Sequence, residues 1–206
     1  LFFEVNNCNP LNALEYKMED GSQLFDAVVL FAANINYDSE NDKVYLSNNP
    51  NVQALLDQSD VYLQPLRQRG IKVLLGLLGN HDAAGVAQLS SWGAEMWAKD
   101  VALACKEYKL DGVVLDDEYS KSPDTNNKWF TSHSAKAGAR VAYELKRAMQ
   151  LECYWPTYVG IYEYGALYNL PEVVAYGKRH PQSEYIDILI PDYGYTSQPY
   201  GDLSID

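Results

Sequence analysis

The chain has 206 residues, a formal net charge of −12 at pH 7 and 47% hydrophobic residues. This length and composition predict one globular domain with a large core rather than a disordered chain. The acidic balance argues against binding of nucleic acid, because neutralising phosphates requires a basic surface. The sequence also contains 17 tyrosines and four tryptophans. Such flat rings favour a neutral ligand, although most aromatic side chains in any protein pack in its core.

Membrane and targeting segments are not evident. No stretch approaches the ~20 apolar residues that cross a bilayer. Residues 1–4 lack the basic flank and cleavage site of a secretion signal, so we expect a mature or trimmed N-terminus. The cysteines, Cys8, Cys105 and Cys153, are too widely spaced for a metal site and allow at most one disulfide. We expect buried free thiols, and the cellular compartment stays open.

Six apolar segments have the length and composition of β-strands. Several are continuous runs of Val, Ile and Leu, which are typical of strands buried on both faces of a parallel sheet. The predicted strands are residues 1–5, 27–33, 72–78, 112–115, 158–162 and 186–190.

Helical patterns lie between these strands. Three segments carry apolar residues at helical spacing, and we expect these stripes to be core. Pro65 should kink or end the first helix unless it lies in the first turn of another. The stripes are Val52, Leu55, Leu56, Leu63 and Leu66; Met96, Trp97, Val101 and Ala104 within residues 91–109; and Val141, Leu145 and Ala148 within residues 134–149.

The alternation of strands and helices predicts an α/β fold. It can be an open doubly wound sheet or a barrel, and the spacing of the elements does not separate the two. The sequence lacks the G-x-G-x-x-G and G-x-x-x-x-G-K-[ST] loops that bind nucleotides in open sheets. The usual nucleotide ligands of the open architecture are therefore not expected.

Residues 110–119 hold the strongest functional signal. An apolar strand there ends in three consecutive carboxylates, Asp116, Asp117 and Glu118. Because side chains alternate along a strand, Asp116 and Glu118 share one face with Val114. Asp117 points to the opposite face. Neighbouring carboxyl groups that shift each other's pKa can provide one acid and one anion, a division that suits glycoside hydrolysis.

The acidic strand carries a family resemblance. Residues 111–118 resemble the D-G-x-D-x-D-x-E strand of glycoside hydrolase family 18, the chitinase-like enzymes. The resemblance is sharpest to endo-β-N-acetylglucosaminidases of the Endo H and Endo F type and runs from residue 2 to about residue 194. It implies a (β/α)8 TIM-type barrel, in which catalytic residues lie at the C-terminal ends of the strands. The other segments that carry it are residues 2–7, 31–37, 70–75 and 78–81.

The resemblance implies hydrolysis of the β-1,4 bond in the N,N'-diacetylchitobiose core of N-linked glycans. Glu118 would be the general acid and would need a raised carboxyl pKa. Asp116 would stay ionised and orient the 2-acetamido group of the substrate, which replaces a protein carboxylate as the nucleophile. Tyr193 resembles the tyrosine that stabilises the acetamido carbonyl. No metal and no organic cofactor are implied.

Polar residues after the other strands are candidate sugar contacts. Asparagines at such positions often serve only turns. His81 is not expected to bind a metal, because no second histidine stands at ligand spacing. We expect Asp117 to make a structural contact in the loop after its strand. The candidates are Asn34, Asn36, Asn80, His81, Tyr162, Tyr164 and Asp192.

Two features depart from the family pattern. Val114 replaces an inward aspartate of many members, which places the orientation of Asp116 and the pH profile in question. Six strands are evident where a barrel has eight. We therefore expect residues 1–206 to be a single barrel domain that lacks its C-terminal units. The alternative is a six-unit domain that closes differently.

These departures leave other functions open. One is a barrel that binds glycans without hydrolysing them, and another is a chitinase. For each of them, N-acetylglucosamine-containing glycans or glycoproteins remain the expected partners, and we expect a monomer. An extracytoplasmic location is implied only by the family resemblance.

Overall fold

The structure of the protein, a computed structural model, describes residues 1–192. The strands in this range are Phe2–Glu4 (β1), Ala27–Asp38 (β2), Lys43–Ser47 (β3), Lys72–Gly79 (β4), Gly112–Leu115 (β5), Tyr158–Tyr162 (β6), Val173–Ala175 (β7), Lys178–His180 (β8) and Ile188–Ile190 (β9). The α-helices are Pro50–Asp57 (α1), Ser59–Tyr62 (α2), Gln64–Gln68 (α3), Ser91–Tyr108 (α4) and Ala135–Glu152 (α5). Short 3-10 helices cover Pro10–Glu15, Gly165–Leu167 and Gln182–Glu184.

The main sheet is parallel and curled. Its strands follow the order β1-β2-β4-β5-β6-β9, and every pair of neighbours in this order is parallel. These are the six predicted strands, so that prediction is confirmed. The curled sheet with its helices forms part of a (β/α)8 barrel.

Three strands are additions to the predicted set. β2 continues to Asp38 and turns back into β3, which pairs with it antiparallel. β7 and β8 form a separate antiparallel hairpin between β6 and β9. Each strand of this hairpin has three residues, too few to show an alternating pattern in the sequence.

Alternation along the parallel strands divides their apolar side chains into two groups. The larger group packs against the helices and forms the main core. The smaller group faces the inside of the curled sheet, where it forms a second cluster. The inward side chains are Val29, Leu74 and Val114, with Ala27, Tyr158, Ile188 and Ile190 packed against them. The inward position of Val114 directs the next residues of that face, toward the C-terminal end of β5, into the same interior.

The helices largely follow the predicted stripes. The first predicted helix is divided into α1, α2 and α3, and Pro65 lies in the first turn of α3, where a proline costs no backbone hydrogen bond. Helices α4 and α5 begin after Ser90 and Ser134, whose hydroxyl oxygens accept hydrogen bonds from backbone N–H groups of the first turn.

Two expectations about burial are wrong. Met96 is 36% exposed, because the buried stripe of α4 passes through Trp97, the next position around the helix. Cys8 is also exposed, since it lies in the loop between β1 and the first 3-10 helix. Cys105 and Cys153 are buried as expected, and all three cysteines are free thiols.

An ion pair closes the N-terminal end of β5. Arg67 Nε lies 2.9 Å and 3.0 Å from the two carboxylate oxygens of Asp111, and Arg67 Nη2 lies 2.9 Å from Oδ1. Asp111 Oδ2 also accepts a hydrogen bond from the backbone N–H of Val73 at 2.9 Å. Asp111 is 8% exposed. This end of a barrel strand serves stability rather than chemistry.

Asp111→Ala should lower the free energy of unfolding by about 3–5 kcal/mol, because it leaves the Arg67 charge uncompensated at a largely buried site. Urea unfolding measures the change. Asp60→Ala is the matched control, since Asp60 pairs with Lys109 at 3.3 Å on the surface, with 83% of its side chain exposed. The control should cost less than about 1 kcal/mol. Equal losses in the two variants would contradict this role of Asp111.

Candidate active site

Two acids lie at the C-terminal end of β5 on the inward face. Asp116 is 4% exposed, and its backbone N–H donates to the carbonyl oxygen of Leu77 on β4 at 3.0 Å. Glu118 is partly exposed. The two carboxyl groups interact electrostatically. The predicted convergence of Asp116 and Glu118 is therefore present in the structure.

The end of β4 holds the backbone beside Glu118. Gly79 N–H donates to the Glu118 carbonyl oxygen at 3.0 Å, and His81 N–H donates to the Tyr119 carbonyl oxygen at 2.6 Å. A Cβ atom on residue 79 would lie 2.5 Å from the Glu118 carbonyl oxygen, so only glycine permits this approach. The chain therefore positions Glu118 through its backbone as well as through β5.

The surroundings of Asp116 shift its pKa upward. Burial, followed by the charges of Glu118, Asp117 and Asp192, raises the pKa of Asp116 to about 7. The expectation that Asp116 stays ionised during catalysis stays a prediction, because a carboxyl group at this pKa is present in both its protonated and its ionised form at neutral pH. The physical cause is a buried group surrounded by like charges, which disfavour its anionic form. At neutral pH Asp116 thus carries a proton in part of the molecules.

The side chain at position 114 explains part of this environment. Val114 is 1% exposed and packs in the inward apolar cluster directly before Asp116 on the same face. Asp116 Oδ1 is buried and has no hydrogen-bond partner among residues 1–192. An aspartate at position 114 would have placed a polar group on this face. With valine at this position, the side chain next to Asp116 on the inward face of β5 is apolar.

Aromatic residues and a third acid line the neighbouring strand ends. Tyr162 lies on β6, and its hydroxyl donates to Asp192 Oδ1 at 2.7 Å. Asp192 is 3% exposed, and burial together with this carboxylate raises the pKa of Tyr162. The Tyr164 ring is stacked on the Tyr162 ring, with 6.2 Å between centroids and 16° between planes. The structure thus brings Tyr162 and Asp192 to the acidic pair. Tyr193, the remaining predicted catalytic residue, lies outside the described residues.

The predicted asparagines form a second polar group at the ends of β2 and β4. Asn36 Nδ2 donates to Asp82 Oδ2 at 2.7 Å, and Asn80 Nδ2 donates to Asn36 Oδ1 at 3.2 Å. Asp82 also accepts from the backbone N–H groups of Tyr37 at 2.9 Å and Ala84 at 2.7 Å. The group therefore links the loops that follow these two strands.

Asp82 is a residue whose role the sequence analysis missed. Its position directly after the Asn80-His81 pair was the available signal, since an aspartate in a polar turn often accepts backbone hydrogen bonds. Asn34 is held differently, because its Nδ2 group donates to the carbonyl oxygen of Gly79 at 3.2 Å. Each of these asparagines thus makes structural hydrogen bonds.

His81 lies on the exposed rim of the same face. Its backbone has a φ of 61°, and its ring lies 5.3 Å from the exposed Tyr119 ring, measured between centroids. Within residues 1–192, no group of three or more His, Cys, Asp and Glu side chains is arranged to hold a metal ion. The two rings form an exposed aromatic pair beside Glu118.

The sequence of this chain is similar to those of two curated proteins. A scan of protein-family models finds no match. Over 194 residues the chain is 45% identical to endo-beta-N-acetylglucosaminidase F1 from Elizabethkingia meningoseptica, which covers 94% of this chain and 55% of that protein. An endo-beta-N-acetylglucosaminidase from Flavobacterium sp. (strain SK1022) is 45% identical over 120 residues, covering 58% of this chain and 38% of that protein.

A solved structure gives the same relationship in three dimensions. Bacteroides thetaiotamicron EndoBT-3987, in complex with Man9GlcNAc2Asn substrate, matches with a TM-score of 0.86 and 50% identity, over 94% of this chain and 46% of that chain. The chain is therefore similar to endo-β-N-acetylglucosaminidases in both sequence and structure. It spans about half the length of the curated relatives it matches. The expectation that further barrel units belong to the domain stays a prediction.

Asp117 has the structural contact that we expect from its face of the strand. Its Oδ2 atom lies 2.7 Å from His133 Nε2 and accepts a hydrogen bond from the backbone N–H of Ala166 at 2.7 Å. The role of His133 could not be found in the sequence, because 16 residues separate it from Asp117 and no motif connects them. This contact joins the loop before α5 to the ends of β5 and β6.

Proposed function

We propose that the protein is an endo-β-N-acetylglucosaminidase. It cuts the β-1,4 bond between the two N-acetylglucosamine units of the N-linked glycan core and leaves one unit on the asparagine. The observation that carries this proposal is the inward pair Asp116 and Glu118 after β5. Tyr162 and Asp192 lie beside this pair at the C-terminal ends of β6 and β9. The similarity to EndoBT-3987, solved with Man9GlcNAc2Asn substrate and with Man5GlcNAc product, supports this substrate class.

The proposed first step begins with the proton on Glu118; a proton that Asp116 holds in the free protein passes to Glu118 as the substrate binds. Glu118, the more exposed acid, donates a proton to the glycosidic oxygen as the bond to the anomeric carbon breaks. Asp116 is then an anion and accepts a hydrogen bond from the acetamido N–H of the substrate. The acetamido oxygen attacks the anomeric carbon and closes an oxazolinium ring, so the substrate provides the nucleophile.

The second step restores the enzyme. Glu118, now a carboxylate, removes a proton from water as the water oxygen attacks the anomeric carbon and opens the ring. The acetamido group is regenerated, Glu118 is protonated again, and two inversions give net retention. Tyr193 is proposed to donate a hydrogen bond to the acetamido carbonyl.

Sugar contacts are proposed for the residues around the pair. Tyr162 and Tyr164 offer ring faces on which a sugar can stack. Asn34 and His81 are proposed to contact the sugar from the ends of β2 and β4, together with Asn36 and Asn80, which also fix these loops through the hydrogen bonds described above. Asp192 is proposed to contact it from the side of Tyr162. No metal or organic cofactor takes part in these steps.

The proposed substrate also suggests where the protein works. N-linked glycoproteins meet a bacterial enzyme outside the cytoplasm, so we propose a secreted, periplasmic or cell-surface location and a monomeric enzyme. In the part of the chain that the structure describes, no helix has the length and apolar character needed to span a bilayer.

Cleavage of a defined glycopeptide tests the proposal. The full protein is incubated with Man9GlcNAc2Asn glycopeptide, and the products are analysed by mass spectrometry. We expect a free glycan with one N-acetylglucosamine at its reducing end and a peptide that keeps the other. Release of the whole glycan, or cleavage of chitin oligomers in preference to the glycopeptide, would overturn the assignment.

A non-catalytic glycan-binding protein is the second candidate. Val114 favours it, because the apolar residue removes a polar neighbour from Asp116. Calorimetry with the chitobiose-core glycan, followed by product analysis after long incubation, separates the two functions. Binding without turnover favours the second candidate, and turnover rejects it.

Asp82→Ala should raise KM for the glycopeptide roughly fivefold and change kcat little, because it releases Asn36 and the two backbone donors without touching the acidic pair. Asp38→Ala is the control. Asp38 caps the neighbouring hairpin turn by accepting from Glu40 N–H at 3.0 Å and Asn41 Nδ2 at 2.6 Å. Steady-state kinetics that show the same KM in both variants would contradict a positioning role of Asp82.

A further inference from the structure

Asp117 is a third acid at the end of β5, beside the proposed catalytic pair. Asp117 lies between Asp116 and Glu118 in the chain but points away from the barrel interior, and 1% of its side chain is exposed. A buried carboxylate requires hydrogen-bond donors. Because Asp117 is bonded to Asp116 and Glu118, a contact that holds the Asp117 side chain also restrains the backbone of these two residues. This residue can therefore fix the direction of the catalytic carboxyl groups without reaching the substrate.

Two donors from different parts of the chain reach the same oxygen of Asp117. His133 Nε2 lies 2.7 Å from Oδ2, and Ala166 N–H donates to Oδ2 at 2.7 Å. A carboxylate only accepts hydrogen bonds, so this contact requires the form of His133 in which Nε2 carries a proton. The His133 side chain is 47% exposed and is not a core residue. Its main buried interaction is therefore the one with Asp117.

The turn after β6 is shaped for this contact. Gly165 has a φ of 57°, and a Cβ atom at this position would lie 2.4 Å from Asp117 Oδ2. A side chain there would displace the carboxylate, so glycine is required both by the backbone angle and by the close approach. The same turn directly follows Tyr164, one of the proposed sugar contacts. Asp117 thus connects the acidic strand to the aromatic strand.

The strand end is consequently held from two sides. On the β4 side, Gly79 and His81 donate to the carbonyl oxygens of Glu118 and Tyr119. On the other side, His133 and Ala166 hold the Asp117 side chain. These contacts therefore fix the backbone from which the Glu118 side chain projects.

We propose that His133 is a positioning residue for the acidic pair, acting through Asp117. This inference rests on the proposed function, because it assigns His133 a part in that same reaction. His133 holds Asp117 by hydrogen-bond donation, and this holds the backbone from which Asp116 and Glu118 project. Loss of the donor misplaces the acid relative to the glycosidic oxygen, and misplacement of about 1 Å can cost a hundredfold in rate.

Kinetics of paired variants of the full protein test the inference on the Man9GlcNAc2Asn glycopeptide. His133→Ala should lower kcat by at least roughly tenfold, with KM changed by less than about twofold. His133→Gln provides an amide N–H at similar reach and should recover most of kcat. His180→Ala is the control, because His180 Nδ1 lies 2.7 Å from Glu184 Oε2 in another histidine–carboxylate contact, away from the pair. The control should keep wild-type kcat.

The outcomes separate the possible failures. Unchanged kcat in folded His133→Ala, or equal losses in the Ala and Gln variants, would overturn the positioning role. Thermal melting shows whether each variant is folded, and His133→Gln decides the matter if the Ala variant is not. Absence of turnover in the wild-type protein would instead reject the proposed function, and the inference with it.

Discussion

Glu118→Gln should lower kcat for the chitobiose-core glycopeptide by roughly a hundredfold to ten-thousandfold and leave KM nearly unchanged. The amide keeps the shape and polarity of the side chain but cannot give a proton to the leaving oxygen. Because the loss falls on a step after binding, it should appear in kcat and not in KM. Single-turnover kinetics with mass-spectrometric detection of the peptide product measures it.

Glu163→Gln provides the control for this change. Glu163 directly follows β6, and its charge is not among those that shift the pKa of Asp116, so an equal change of charge there should leave the acidic pair intact. It should retain kcat within about twofold. A Glu118→Gln variant as active as this control would show that another group is the acid.

Asp116→Asn should combine a loss of activity with a gain in stability that depends on pH. The activity loss is on the order of a hundredfold, because an amide cannot provide the negative charge that holds the acetamido N–H and the developing ring. The stability gain has a separate origin in the ionisation of a buried carboxyl group. In this variant kcat should therefore fall while the free energy of unfolding at neutral pH rises.

The sign of the stability change follows from the two pKa values. Asp116 has a pKa of about 7 in the folded protein against an ordinary value of 3.8. The folded state therefore binds the proton more tightly, and the wild-type protein loses stability as the pH rises through this interval. The cost is absent below about pH 4 and complete above about pH 7, where its upper limit is about 4 kcal/mol. Asp116→Asn is free of this cost.

Urea unfolding of both proteins between pH 4 and pH 8 measures this difference. The free energy of unfolding of Asp116→Asn, relative to that of the wild-type protein, should increase as the pH rises, with most of the increase between pH 4 and pH 7. A difference that is constant across this range would contradict the raised pKa of Asp116.

The parts of the fold that the sequence predicts are those set by local periodicity. The parallel strands are continuous apolar runs, and their alternation alone places Asp116 and Glu118 on the same face as Val114. The division of the first helix follows from Pro65, whose ring excludes it from a helix interior. The hairpin of β7 and β8 has no such pattern, because its short strands are stabilised by contacts with α5.

The state of the acidic pair could not be predicted in the same way. Alternation indicates that two acids converge, but which of them is buried depends on strands distant in the chain. Asp192 and Tyr162 approach Asp116 only in the folded sheet, where burial and then the charges of Glu118, Asp117 and Asp192 raise its pKa. The contact of His133 with Asp117 is likewise a product of the fold. The candidate site could therefore be located from the sequence, whereas the burial and the neighbours of each acid required the structure.

Carbon-13 NMR titration of the aspartate carboxyl groups in the full protein tests most directly whether Asp116 and Glu118 act as one inward pair. The Asp116 carboxyl should titrate near pH 7 in the wild-type protein. Its pKa should fall in Glu118→Gln, where the neighbouring charge is removed. Titration of Asp116 near its ordinary value in both proteins would show that the two acids do not share an enclosed site, and would contradict the proposed catalysis.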